Sequence, residues 1–234
     1  MKYILLAGGK GSRLLPYTEM THKVLTTIGG VPLLGHHIDK IIKLGVDPSN
    51  ICVVTGYMGE EVGGYLEKYY PEVGYSKIQS GLKPGPAGGV LSAEDFIGDD
   101  WSTVIEADTF FDGPLDSLTE ETPQIIVNKT KMKKRYAEAY GESGLLRELD
   151  LFSSNEGHDG LAFTGITVNP PGFCKTLKAV KPDPEKGECY ILSGVLIQNG
   201  KTPYKVKQFD GSWFNIADID DVKEARNHLY AAVT

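Results

Sequence analysis

The residues Gly8-Gly9-Lys10-Gly11-Ser12-Arg13-Leu14 follow directly on a short apolar run, Lys2–Ala7. A glycine-rich loop at the carboxyl end of a parallel strand is where α/β proteins bind phosphate groups. Backbone N–H groups approach an anion closely only where side chains are absent, and Arg13 adds a bidentate donor. Two familiar phosphate loops do not fit: Gly11 separates Lys10 from Ser12, and Leu14 stands where a dinucleotide fingerprint has its third glycine. A purely structural turn is the competing reading. A second concentration of chemistry is Thr103-Val-Ile-Glu106-Ala107-Asp108, an apolar run ending in two carboxylates. Charges at a strand's carboxyl end face the ligand crevice, and a carboxylate there suits Mg²⁺. The bland alternative is that Asp108 caps the turn that follows. No nucleophile–His–carboxylate arrangement is suggested. His36 and His37 fall on a helix and read as packing or surface residues. The Tyr and Trp residues are too scattered for a base-stacking platform.

The elements that must position these residues alternate in the first half. Lys2–Ala7, Ile51–Thr55, Tyr75–Gln79 and Ser102–Glu106 read as strands, the first ended by glycines. Pro32–Leu44 has helical spacing with Gly45 as its stop, and Gly59–Tyr69 and Ala87–Ile97 also read as helices. Strands separated by helices imply right-handed crossovers and a mostly parallel sheet. In the second half, Gln124–Asn128, Tyr136–Ala139, Leu145–Leu149, Leu161–Val168 and Tyr204–Phe209 read as strands. Phe173–Val180 reads as a short helix, Gly211-Ser212 as a turn and Asp218–Ala232 as a closing helix. The expected fold is therefore α/β, Rossmann-like, with a mixed, mainly parallel sheet flanked by helices and a β-richer second portion. No linker or repeat interrupts it, so 1–234 reads as one domain: a nucleotide-binding half (1–112) and a second half (113–234).

Composition narrows the function. With 24 Lys and Arg against 31 Asp and Glu, the net charge is −7. General nucleic-acid binding, which relies on basic surface, is not expected. Glycine is abundant, 28 of 234 residues, against roughly 7% in average proteins. The three cysteines, Cys52, Cys174 and Cys189, are widely spaced without a metal-ligand pattern and read as buried thiols. No signal peptide or membrane span is read, so a cytoplasmic location and no membrane partner are expected.

The longer stretch Leu6-Ala-Gly-Gly-Lys-Gly-Ser-Arg-Leu14, with Pro16, Thr18, Lys23, Leu25, Gly30, Pro32 and Leu33, resembles the signature of the sugar-1-phosphate nucleotidyltransferase (pyrophosphorylase) family. Ser12 replaces the usual Thr, and His22 replaces the usual Pro before the lysine. The resemblance implies a GT-A-like nucleotidyltransferase fold with an acceptor-binding portion in the second half. It implies nucleotide contacts from Leu6, Ala7, Gly8, Gly9, Gly11, Ser12 and Arg13, with Arg13 on the triphosphate and Lys23 near the reacting phosphates. Lys83-Pro-Gly-Pro-Ala-Gly-Gly89 is similar to the family's second glycine-rich segment, which places Gly88 beside the nucleobase and Gln79 as its reader. The family's Gly-Asp corresponds to Ala107-Asp108, making Asp108 the Mg²⁺ ligand. Its second metal aspartate corresponds to Asn215, with Asp218 as a fallback; Asp218 is otherwise simply the N-cap of the last helix.

Acceptor contacts are expected from Lys129, Gly165 and Glu188. The basic run Lys131, Lys133, Lys134 and Arg135 either attracts a phosphorylated acceptor or forms a solvated face. The implied activity is Mg²⁺-dependent transfer of NMP from an NTP to a sugar-1-phosphate, giving an NDP-sugar and pyrophosphate. The Glu-Lys-Pro segment of hexose-1-phosphate enzymes is missing between Glu148 and Asp159. The Glu106-x-Asp108 pair and the Ile125–Lys129 strand are similar instead to small cytidylyltransferases acting on phosphocholine or phosphonates. A catalytically silent regulatory subunit of the same fold is the reading from another class. Self-association into a homo-oligomer is left open.

Overall fold

The computed structural model describes residues 1–151 and 156–231. In chain order the first half comprises β1 (Lys2–Ala7), α1 (Tyr17–Met20), β2 (Thr27–Ile28), β3 (Val31–Pro32), α2 (Leu33–Lys43), β4 (Ile51–Thr55), α3 (Gly59–Tyr69), β5 (Gly74–Lys77), α4 (Pro86–Leu91), α5 (Glu94–Ile97), β6 (Ser102–Glu106) and β7 (Thr109–Asp112). The second half comprises β8 (Gln124–Lys131), β9 (Glu138–Glu142), β10 (Leu145–Asp150), β11 (Asp159–Asn169), α6 (Phe173–Ala179), α7 (Ile191–Asn199), β12 (Lys205–Gln208), β13 (Ser212–Asn215) and α8 (Ile219–Ala231).

One nine-stranded sheet runs through both halves in the order β5-β4-β1-β6-β11-β8-β12-β10-β9. The four first-half strands are parallel. Beyond them β11 runs antiparallel between β6 and β8, β12 is parallel to β8, and β10 is antiparallel to β12 and β9. The central strands are apolar on both faces because both faces are covered. Leu5, Val53 and Ile105 bury against Ile38, Ile41, Val62 and Leu66 of α2 and α3. Ile4, Val54 and Val104 bury on the other side with Val90, Leu177 and Val195 of α4, α6 and α7.

This topology decides where a ligand can sit. The chain leaves β1 toward β4 and β5 on one side and later returns to β6 on the other, so β1 and β6 flank a switch point. Ligands of open α/β sheets bind outside the carboxyl ends of strands at such a point. Leu6 is in register with Glu106, and Ala7 with Thr55. The glycine loop and the Glu106–Asp108 turn are therefore neighbours.

Several expected elements differ. Ala87–Ile97 is two helices, α4 and α5, broken at Ser92–Ala93, where the Ser92 hydroxyl turns back to the Gly88 carbonyl at 2.9 Å. The Tyr75–Gln79 strand ends at Lys77, because the Gln79 N–H donates to the Ser92 hydroxyl instead of a ladder. Tyr136–Ala139 shifts to Glu138–Glu142, because Tyr136 N–H closes a turn on the Lys133 carbonyl at 2.8 Å. Helix α7 was not expected. Ile191-Leu-Ser-Gly-Val-Leu-Ile is apolar nearly all round, so it carries no amphipathic period. Ser212 belongs to β13 rather than to a turn, since it pairs with Asp112 of β7. Helix α8 begins at Ile219, and Ala232 of the expected closing helix lies outside the described residues.

Candidate active site

A cleft of about 1200 Å³ opens over the carboxyl ends of β1 and β6. Its floor is the glycine loop, Leu6 to Arg13. Gly11 has φ +61°, and a Cβ there would lie 3.0 Å from Thr18 and 3.1 Å from Lys23, so a side chain would be both strained and crowded. The loop is closed by Leu14 N–H on the Gly11 carbonyl at 2.8 Å and by the Thr18 hydroxyl on the same oxygen at 2.9 Å. Leu14 anchors it in a small apolar cluster with Ile28, Leu33 and Ile216. Lys10 and Arg13 are exposed along the cleft and make no ion pair among the described residues.

Lys23 sits beside this loop, buried along its stem, with its ammonium 2.7 Å from the Asp108 carboxylate. The preceding turn is fixed from α3: Glu61 accepts the Thr21 hydroxyl and the His22 N–H, both at 2.7 Å. His22 is buried, and its Nδ1 accepts the Val24 N–H at 3.2 Å. Burial, opposed by Glu61, lowers its pKa. Its Nε2 has no hydrogen-bond partner among the described residues.

The carboxylate turn is braced from behind. The Thr109 hydroxyl donates to the Glu106 carbonyl at 2.9 Å, the Ala107 N–H to the Leu6 carbonyl at 3.1 Å. Fully buried His37 contacts the Thr109 carbonyl through Nε2 at 2.8 Å, and burial lowers its pKa to about 4. It is therefore a neutral donor inside the fold. Burial and the neighbouring Asp108 charge push Glu106 up to about 7. Asp108 goes the other way: burial opposes its charge, but the Lys23 ammonium outweighs it and lowers its pKa. Asn215 reaches the same place because β13 pairs with β7, Asn215 opposite Thr109, and Ile216 N–H donates to the Asp108 carbonyl at 2.9 Å.

The remaining walls come from two loops. Lys83–Pro86 is stitched to the Glu188–Cys189 segment by Ala87 N–H on the Cys189 carbonyl (3.0 Å) and Cys189 N–H on the Pro84 carbonyl (2.9 Å). Lys134, Arg135, Tyr136 and Ala137 also line the cleft, with Phe163 and Leu151.

The cleft thus gathers Leu6, Ala7, Gly8, Gly9, Gly11, Ser12, Arg13, Lys23, Gln79, Asp108, Glu188 and Asn215. Three expected site residues do not line it. Gly88 is a packing glycine, where a Cβ would overlap the Lys83 carbonyl oxygen; Gly89 faces the cleft instead. Gly165, at φ +91°, lies behind the site and makes room for the Glu106 side chain. Lys129 is exposed on β8 opposite Leu161, away from the cleft. Asp218 is not a free ligand either. One oxygen caps α8 through the Asp220 and Asp221 N–H groups, both at 3.1 Å, and the other accepts from Arg135 at 3.2 Å. The Arg135 contacts to Asp218 and Asp221 were not foreseen. Their signal was present, a basic run at 131–135 and an acidic cluster at 218–221.

Among the described residues no group of three or more His, Cys, Asp or Glu is arranged to hold a metal. A protein-only cage is thus not offered. The Asp108 carboxylate and the Asn215 amide oxygen do suit Mg²⁺, which keeps several waters and is commonly shared with substrate phosphates. No helix among the described residues is long and apolar enough to cross a membrane.

A glycine-rich loop, a buried lysine and a strand-end carboxylate thus meet on one α/β cleft. Residues 2–141 match the nucleotidyl transferase family, and the chain belongs to that family. It is 32% identical over 232 residues to the bifunctional protein GlmU of Methanocaldococcus jannaschii, covering 98% of this chain and 54% of that protein. The chain thus spans about half the length of such relatives. It is 26% identical over 245 residues to the UTP–glucose-1-phosphate uridylyltransferase AglF of Haloferax volcanii, covering 100% and 98%. The fold is shared with a Bacillus anthracis protein described as a glucose-1-phosphate thymidylyltransferase (TM-score 0.82, 22% identity, 97% and 94% covered). It is also shared with the CTP:phosphocholine cytidylyltransferase of Streptococcus pneumoniae (TM-score 0.76, 21% identity, 97% and 98% covered).

Proposed function

We propose that this chain is a Mg²⁺-dependent nucleotidyltransferase that transfers NMP from an NTP to a sugar-1-phosphate, releasing pyrophosphate and forming an NDP-sugar. The observation that carries this reading is the convergence of the glycine loop, Lys23 and Asp108 on one cleft. A phosphate oxygen of the acceptor attacks the α-phosphorus in line. The new P–O bond forms as the bond to the β-phosphate bridging oxygen breaks, and pyrophosphate leaves with that electron pair. A phosphate monoester is already mostly dianionic at pH 7, its second pKa being about 6, so no general base is required. Catalysis then rests on alignment and on neutralising charge. The loop N–H groups and Arg13 hold the departing phosphates, and Lys23 meets the charge that grows around the α-phosphate. Asp108 and Asn215 would hold the cation, which supplies further charge neutralisation when bound. Gln79 and the Lys83–Gly89 wall take the nucleobase, and Glu188 takes acceptor hydroxyls.

A second reading, cytidylyl transfer to a phosphorylated amino alcohol or a phosphonate, is favoured by Glu106, a cleft carboxylate with no ion pair among the described residues. The silent-subunit reading is disfavoured by the retained Arg13, Lys23 and Asp108. Pyrophosphate release measured with four NTPs against sugar-1-phosphates, phosphocholine and a phosphonate separates these outcomes. Release with a sugar-1-phosphate supports the first reading, release only with CTP and phosphocholine or the phosphonate the second, and no release the silent subunit.

A further inference from the structure

The acceptor of an in-line displacement brings a second phosphate dianion into a cleft that already holds a triphosphate. Entering and leaving groups stand on opposite sides of the α-phosphorus, so the acceptor phosphate needs its own cation, away from the glycine loop. The cations lining the cleft are Lys10, Arg13, Lys23, Lys83, Lys134, Arg135 and Lys186. Lys10 and Arg13 belong to the glycine loop. Lys23 is held by Asp108, and Lys83 donates to the Val180 carbonyl at 2.6 Å. Lys186 is an exposed cation on the Glu188 side of the cleft, where the proposed reaction puts the acceptor hydroxyls. The other cation held by no carboxylate among the described residues lies on the turn Lys133–Tyr136.

This turn is built to present one residue and hold the other. Tyr136 N–H closes it on the Lys133 carbonyl, which puts Lys134 and Arg135 at its two central positions. Arg135 is tied down, with its two terminal nitrogens on Asp218 and Asp221 and its guanidinium 5.6 Å from the Tyr136 ring centre. Lys133 adds a weaker contact to Asp221 at 3.6 Å. Asp221 in turn accepts the Ala217 and Asp218 N–H groups at 2.8 and 3.0 Å. The staple therefore fixes the turn against the chain two residues beyond Asn215, at the metal side of the cleft. Among the described residues the buried Arg135 Nε has no hydrogen-bond partner, so this wall also presents a free donor. Lys134 is exposed in the cleft and makes no ion pair among the described residues.

We infer that Lys134 binds the phosphate of the acceptor, with Arg135 as the positioning residue that sets its turn. The inference rests on the nucleotidyl-transfer reading and assigns it an acceptor-phosphate subsite on the Lys133–Tyr136 turn. A charge-assisted contact to a dianion is lost in Lys134→Ala and reversed in Lys134→Glu. Steady-state pyrophosphate release should show the KM for the acceptor rising about tenfold or more in Lys134→Ala, and further in Lys134→Glu, with the KM for the NTP unchanged. Lys134→Arg should restore the acceptor KM to within about threefold of wild type. Added salt should raise the acceptor KM of the wild type more than that of Lys134→Ala. Because Lys134 is exposed and unpaired, the melting temperature should not move. Arg135→Gln should raise the acceptor KM as well, with a lower melting temperature. Wild-type turnover together with an unchanged acceptor KM in Lys134→Ala, or equal increases in both KM values, would overturn the inference alone. If the wild type releases no pyrophosphate with any acceptor, the transfer reading fails, and the inference falls with it.

Discussion

The Lys23 ammonium and the Asp108 carboxylate lie 2.7 Å apart across 85 residues of sequence. The lysine is almost fully buried, the aspartate about one-third exposed to the cleft. The pair joins the segment beside the glycine loop of β1 to the carboxylate turn of β6, so neither group changes without affecting the other.

Asp108→Asn should abolish turnover, because it removes the anionic oxygen proposed to hold the cation, and should lose less stability than Asp108→Ala, because the amide oxygen still accepts a hydrogen bond from the Lys23 ammonium. Asp108→Ala should be equally inactive but also less stable, on the order of 2 kcal/mol, since it strands a buried ammonium. Pyrophosphate release and thermal unfolding of the two variants check this. Substantial activity in Asp108→Asn would remove Asp108 from the reaction.

Lys23→Ala should lower kcat far more than it raises the KM for the NTP, because charge around the α-phosphate grows only during transfer. A pure KM effect would reduce Lys23 to ground-state phosphate binding. Steady-state kinetics at saturating acceptor separates the two.

Asn215→Asp should lower the Mg²⁺ concentration for half-maximal activity, since a hard cation gains affinity with each anionic oxygen. Asn215→Ala should raise it. Asp218→Asn should leave that titration in place and lower the melting temperature instead, because Asp218 caps α8 and pairs with Arg135. A shift of the metal curve in Asp218→Asn would exchange the two assignments.

Two buried groups give the stability an opposed pH dependence. His37 has a folded pKa of about 4, below its unfolded value of about 6.5, so its contribution is intact above pH 6.5 and lost as the pH falls toward 4. The full effect is on the order of 3 kcal/mol. Glu106, raised to about 7 by burial and by Asp108, has the opposite sign: its contribution is full below its unfolded pKa of about 4.5 and lost as the pH rises through 7. Denaturant unfolding between pH 4.5 and 6.5 should therefore steepen in Glu106→Gln, with stability falling toward acid. His37→Gln should reverse that slope. Parallel curves for wild type and both variants would show that neither group titrates as described.

Much of this architecture was legible because local punctuation and burial agree. The bounds of β1, β4, α3 and β6 coincide with their apolar or amphipathic runs, each closed by glycine, proline or a charge. The glycine loop and the Glu106–Asp108 strand end were legible because each is a local motif at the end of its own strand, and Lys23 through the family resemblance; the contact between Lys23 and Asp108 across 85 residues was not. What escaped depends on contacts between distant segments. Helix α7 is apolar nearly all round, so no period marks it. Lys129 lies only five residues before Lys134, yet β8 leaves it exposed away from the cleft, while the turn beyond β8 brings Lys134 in. The Arg135–Asp218 pair spans 83 residues and exists only because α8 packs beside that turn.

The most direct test follows two labels through one turnover. NTP carrying ³²P at the α-position, or at the γ-position, is mixed with excess wild-type protein, Mg²⁺ and a sugar-1-phosphate, and the products are separated. The α-label should appear in the NDP-sugar and the γ-label in pyrophosphate, with both absent when Asp108→Asn replaces the wild type. Release of the γ-label as inorganic phosphate, or of the α-label as free NMP, would identify a hydrolase and contradict nucleotidyl transfer at this cleft.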